Sequence, residues 1–206
     1  MRRKVFDVLA SAGGAVVVAV LVVAGALLMW GYSFANSNVH NQLAEQSIVF
    51  PSKAAFAAAK PGTEITPGMI PYLEKYAGQQ LLTGQQAEAY ADHFIAVHLS
   101  EMPYGGVYAK ISAASLASPK NASLANYVQL SFRGTTLRGL LLEAYAFWTF
   151  GQIAFWAGVA SFVLAGIMAV LVGFGLWHAR RVPTEAELKI GAQVKDGTEP
   201  KVLESA

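Results

Sequence analysis

The chain has 206 residues, 54% of them hydrophobic and 14% charged, with 15 Lys and Arg against 13 Asp and Glu for a net charge of +2. Such an apolar excess belongs to a membrane protein rather than a soluble domain, and a balance so near neutral, with no basic stripe carrying interleaved aromatics, excludes nucleic acid as a partner. There is no cysteine, which excludes disulfides, thiolate metal sites and a cysteine nucleophile together.

Residues 1–7 open with the basic run Arg2-Arg3-Lys4. From Val8 to Phe34 no charge occurs for 27 residues, more than the roughly 20 that a helix needs to cross about 30 Å of hydrocarbon. The start resembles a signal peptide, and Ser33-Phe34-Ala35 matches a small-x-small cleavage pattern. The apolar run exceeds a signal core of roughly 7–15 residues, so an uncleaved transmembrane helix over 8–35 is expected. Trp30 and Tyr32 then form an outer aromatic belt. Basic residues flank the run only at its start, since Asn36 to Pro51 contain no Lys or Arg, so the N-terminus is expected in the cytoplasm.

Residues 36–139 form the expected extracytoplasmic domain, and their pattern is helical. Val39, Leu43 and Phe50 share a helical face that stops at Phe50-Pro51. Pro67 to Ala77 reads as a short helix ended by Gly78. Thr83 with Gln86 makes a capping box that opens a helix from Gly84 to about Glu101, with Ala87, Tyr90, Ala91, Phe94, Val97 and His98 on one side and Glu88 and Asp92 opposite. Gly105-Gly106 reads as a turn, and Val107 to Ser115 and Ser123 to Phe132 as further short helices. The fold class is all-α, two transmembrane helices flanking a small outer domain of four to five short helices. From Asn36 to Glu143 seven basic residues balance seven acidic ones, which leaves no strong steering field.

The second apolar run, Ala144 to Ala179, is uncharged over 36 residues, about 54 Å as one helix and too long for one bilayer. With Trp156 and Trp177 as interfacial anchors, the span proper covers 156–178. Residues 140–155 are then an amphipathic stalk or interfacial helix. Arg180 and Arg181 close the span and, with residues 179–206, place the C-terminus in the cytoplasm as well. Thr184 and Glu187 form another capping box, followed by a polar tail too short for an output domain.

Chemistry is sparse. His93 and His98 lie about 140° apart on a helix and cannot grip one ion together. The weak metal candidates are His93 and Asp92 with His40 reaching across, and His98 reads as a packed core histidine. His178 reads as a headgroup-level residue. No zinc-helix, serine-nucleophile or phosphate-loop motif occurs, so neither a catalytic residue nor a cofactor is expected. Arg133 and Arg138, beside a helix start at Thr135 or Thr136, form a candidate lipid or anion contact through free backbone N–H groups; the alternative is that the arginines pair with Glu143 or Glu101. Ala157, Ser161, Ala165, Ala169 and Gly173 recur every four residues, a small-residue stripe that permits close helix packing in lipid. Its expected partner is Ala15 and Ala19 of the first span, or else a second protein.

GQQLLTGQQAEAYADHFIAVHLSEM (Gly78 to Met102) and SFRGTTLRGLLLEAYAFWTFG (Ser131 to Gly151) resemble an uncharacterised family of actinobacterial two-span membrane proteins, some labelled as aromatic ring-opening dioxygenases. The resemblance implies a two-span topology and a cell-envelope setting. The clustered histidine and acidic iron ligands of such dioxygenases cannot be read from this chain. The expected role is a non-enzymatic plasma-membrane accessory or interaction subunit that contacts membrane lipid and a membrane-protein partner or further copies of itself. The alternatives are an oligomeric channel or transport component and an extracytoplasmic metal-dependent enzyme.

Overall fold

A computed structural model gives the fold and describes residues 3–181 and 183. Arg2, the side chain of Arg3 and the expected capping box of Thr184 and Glu187 lie outside the described residues. The described chain is helical, with no regular strand among the described residues. Two helices, α1 (Arg3–Gln46) and α7 (Ala122–Arg181), are long and apolar enough to cross a membrane. Only 6% of each helix's most apolar window is buried, so neither is the core helix of a soluble protein. Both contribute to two compact units, one made of the chain up to Ala24 and from Ala160 onward, the other of Gly25–Val159.

In the first unit the helix ends pair antiparallel through small side chains. A Cβ on Gly14 would lie 2.6 Å from Val172 Cγ2, and one on Gly175 would lie 2.6 Å from Ser11 Oγ. Ser11, Ala165 and Ala179 are buried.

In the second unit α1 runs on into a domain of short helices. It ends at Gln46, four residues before the expected stop at Phe50-Pro51, because Ser47 turns left-handed at φ 52°. Ile48 to Phe50 then lie extended against Gln79 to Leu81. Phe50 N–H donates to the Gln79 carbonyl at 2.9 Å and Leu81 N–H to that of Ile48 at 2.8 Å. The short helix α2 (Lys53–Ala57) is capped by Ser52, whose Oγ accepts from Ala55 N–H. A mixed segment comes next: a 3₁₀ turn at Pro67–Met69, α3 (Ile70–Leu73) and a second 3₁₀ turn at Glu74–Tyr76, stopped by Gly78 at φ 71°.

The capping box opens α4 (Gly84–Tyr90) as its residues predict, with Thr83 Oγ1 accepting from Gln86 N–H and Gln86 Oε1 accepting from Thr83 N–H. The helix does not stay regular. A π turn at Ala91–Ile95 precedes α5 (Ala96–Ser100). One additional residue in a turn rotates the next stretch of helix by about 100°. The turn Pro103–Gly106 and α6 (Tyr108–Ala117) lead to α7.

The core of this unit holds Phe50, Phe56, Met69, Leu73 and Leu81, packed with Val39 and Leu43 of α1 and Leu141 of α7. Each such side chain, fully buried, contributes roughly 1.5–3 kcal/mol. The long helices are therefore walls of this helical domain as well as apolar rods.

The largest correction concerns α7. The expected helix start at Thr135 or Thr136 and the separate segment 140–155 do not exist as breaks. One helix begins at Ala122, where Asn121 Oδ1 accepts from Leu124 N–H at 3.2 Å, and continues unbroken for 60 residues. No proline lies between Pro119 and Pro183, and internal glycines such as Gly134 and Gly139 cost about 1 kcal/mol each without ending a helix.

Candidate functional site

The short helices of the second unit are packed on α7 at four successive levels. Gly84 abuts Trp148 so closely that any Cβ there would collide with the Trp148 side chain. Arg138 donates from Nη2 to Asp92 Oδ1 at 2.6 Å. A Cβ on Gly134 would lie 2.8 Å from Leu99 Cδ2. Ser131, fully buried, donates from Oγ to the Gly106 carbonyl at 2.7 Å. Gly106 is left-handed at φ 70°, and a Cβ on it would strike the Leu99 carbonyl, so the turn that presents this carbonyl requires glycine there. As the domain chain advances from 84 to 106, its partners on α7 retreat from 148 to 131, about 26 Å of helix.

The residues singled out for anion or metal chemistry are distributed along this mount. Thr135 and Thr136 sit in mid-helix, exposed, and their N–H groups belong to the α7 ladder, so the N-terminal anion site expected there is absent. Arg138 pairs with Asp92, not with Glu143 or Glu101, because the π turn starting at Ala91 directs Asp92 toward α7. Asp92 is thereby committed to an arginine. His93 stacks face to face on Tyr72, ring centres 3.5 Å apart and 5° from parallel. His40 is exposed on α1. No group of three His, Asp or Glu side chains spaced to hold a metal occurs among the described residues.

Arg133 has another setting. It is exposed, has no ion-pair partner among the described residues, and borders an apolar pocket of about 230 Å³. Phe94, Ile95, Leu99 and Met102 form one wall, and Leu130 and Leu137 the other. His98 lies at its edge, its Nδ1 2.7 Å from the Phe94 carbonyl oxygen. A carbonyl can only accept, so Nδ1 carries the proton of that bond. A larger groove of about 370 Å³ runs between α1 and α7, floored by Val39, Leu43, Leu141 and Ala144 and rimmed by Gln42 and Glu143.

The small-residue stripe is re-phased. On α7 the buried positions Gly151, Gly158, Ala165 and Ala179 recur in sevens, with half-buried Val172 completing the series. On α1 the inward positions are Asp7, Ser11, Gly14, Val18, Leu21, Gly25, Leu28, Tyr32, Ala35 and Val39, in alternating steps of four and three. Within each unit taken by itself these steps average 3.5 residues, the period of left-handed coiled coils. Steps of four drift about 40° each, so of the expected stripe only Ala165 is buried. Ala157 and Ser161 are half-buried, and Ala169 and Gly173 are exposed, as are Ala15 and Ala19 of α1.

Among the expected interfacial anchors, Trp30 and Trp156 are each 67% exposed. Gly158 approaches Gly25 and Met29, which brings the two tryptophans to one height of the pair. Tyr32 instead turns into the seam against Phe155, centroids 5.0 Å apart. Trp177 is exposed, with the Arg181 guanidinium 4.1 Å above its ring, and Arg180 is exposed. In the first unit Asp7 Oδ2 lies 4.0 Å from His178 Nε2 beside Ser11 and Gly175. The seven-residue period starting at Asp7 was the sequence signal for this cluster, hidden because Asp7 precedes the uncharged run.

No family model matches the chain, and no match was found among curated proteins or solved structures.

Proposed function

We propose that the chain is a non-enzymatic plasma-membrane accessory subunit, crossing the bilayer twice with both termini in the cytoplasm and presenting a rigid outer helical domain to another envelope protein. The observation that carries this reading is the unbroken α7, which is both a candidate span and the spine on which the outer domain is mounted at four levels. Trp156 and Trp177 are 21 residues apart, about 32 Å of helix, matching a hydrocarbon layer of about 30 Å. Arg138, 18 residues before Trp156, then stands about 27 Å outside that layer on the stalk rather than against lipid headgroups. Exposed apolar side chains continue along the stalk: Leu140 at 58%, Phe147 at 42% and Phe150 at 68%. Contiguous exposed apolar surface outside the bilayer marks a protein contact.

The test is photo-crosslinking in intact cells from benzoylphenylalanine at Leu140 or Phe150, with subsequent purification in mild detergent. A discrete heteromeric adduct is expected from both positions. A ladder of self-adducts alone points to the oligomeric channel reading instead, and absence of any adduct overturns the accessory role.

A further inference from the structure

We infer that the pocket beside Arg133 is a binding site for a single-chain anionic amphiphile, an alkyl chain ending in a carboxylate or phosphate. The two arginines of this face differ in a way that decides the ligand's charge. Arg138 is neutralised by Asp92 at 2.6 Å, whereas Arg133, five residues earlier, has no carboxylate within ion-pair distance among the described residues. A guanidinium offers a forked set of donors suited to carboxylate or phosphate oxygens. Immediately beside it the walls are apolar, with Phe94, Leu99 and Met102 on one side and Leu130 and Leu137 on the other. A cation at the mouth of an apolar cleft fits a molecule with one charged end and one greasy end.

Size narrows the class further. The pocket holds about 230 Å³, roughly eight water volumes and below the roughly 300–1,000 Å³ of sites for drug-sized ligands. It accommodates a stretch of one alkyl chain. The cleft keeps its shape because Leu99 is seated against Gly134, where a Cβ would lie 2.8 Å from Leu99 Cδ2. This site uses the π turn and α5 together with the Leu130 to Leu137 stretch of α7, which precedes the stalk positions Leu140 to Phe150.

The experiment is equilibrium dialysis of full-length protein in lipid nanodiscs against radiolabelled decanoate, decyl phosphate and decyltrimethylammonium, with empty nanodiscs subtracted. Saturable binding of decanoate or decyl phosphate is expected, at least about tenfold tighter than that of the cationic probe. Preference between the two anions identifies the head group. Arg133→Gln is expected to weaken anion binding about tenfold. Leu130→Trp, at a half-exposed position, is expected to fill the cleft and abolish binding. Equal uptake of the cationic probe, no saturable uptake above empty nanodiscs, or unchanged decanoate binding in either variant overturns the inference.

Discussion

Asp92 and Arg138 illustrate how a single pair can be both legible and misread. Their chemistry was plain from residue type, yet the partner was not, because Asp92 sits at a π turn that no spacing rule for a regular helix anticipates. With side chains 39% and 37% exposed, the pair is screened by water. A double-mutant cycle of Asp92→Asn and Arg138→Gln, read by thermal unfolding, should give a coupling of about 1 kcal/mol that shrinks in high salt. Tyr90 supplies a pH dependence. Burial first, and then the Glu64 carboxylate, raise its hydroxyl above the ordinary 10.0. Above that ordinary value the unfolded chain loses the phenolic proton while the folded one keeps it, so the unfolded state binds fewer protons and stability falls as pH rises. The contribution is fully present below pH 10 and disappears as pH climbs through the raised folded value. Alkaline unfolding of the helical domain should therefore be steeper in the wild type than in Tyr90→Phe, with equal slopes counting against burial as the cause.

At the scale of elements, local signals were read correctly where one residue dictates the backbone. The Thr83–Gln86 box and the Gly78 stop both form as their chemistry demands. What could not be read was which of two periods governs the long helices. Small residues at every fourth position and small residues at every seventh coexist in α7, and only packing against a second helix selects between them. The selection is testable. A Cβ on Gly158 would lie 3.1 Å from Met29 Sδ and 3.3 Å from the Gly25 carbonyl, while Gly173 has nothing within 4 Å. Gly158→Leu should destabilise the protein by roughly 1–3 kcal/mol through overpacking, and Gly173→Leu should leave its melting temperature unchanged. Equal effects would return the seam to the four-residue stripe. Ala165→Leu falls at a buried position and should behave like Gly158→Leu.

For the whole molecule, the cysteine-free sequence makes topology directly measurable. Leu116 is 78% exposed on α6, so under the proposed topology Leu116→Cys should react with a membrane-impermeant maleimide on intact cells. Arg181→Cys should react only after permeabilisation, and the reverse pattern would invert the proposed orientation. The two apolar helices and the helical class were legible because composition alone specifies them. The mount was not, since its contacts join residues separated by 25 to 64 positions, such as Gly106 with Ser131 and Gly84 with Trp148.

That mount also sets an order of events during synthesis. Leu99 and Gly106 are made before Gly134 and Ser131, and Gly84 long before Trp148. At about 5–20 residues per second, the 42 residues from Gly106 to Trp148 keep the emerging domain waiting roughly 2–8 s for the helix that completes it. Through that interval Leu73, Leu81 and Ala87 can gather around α1, but the surface destined for α7 stays bare. The stretch from Gly84 to Gly106 is thus where a nascent chain of this protein would need a chaperone's protection.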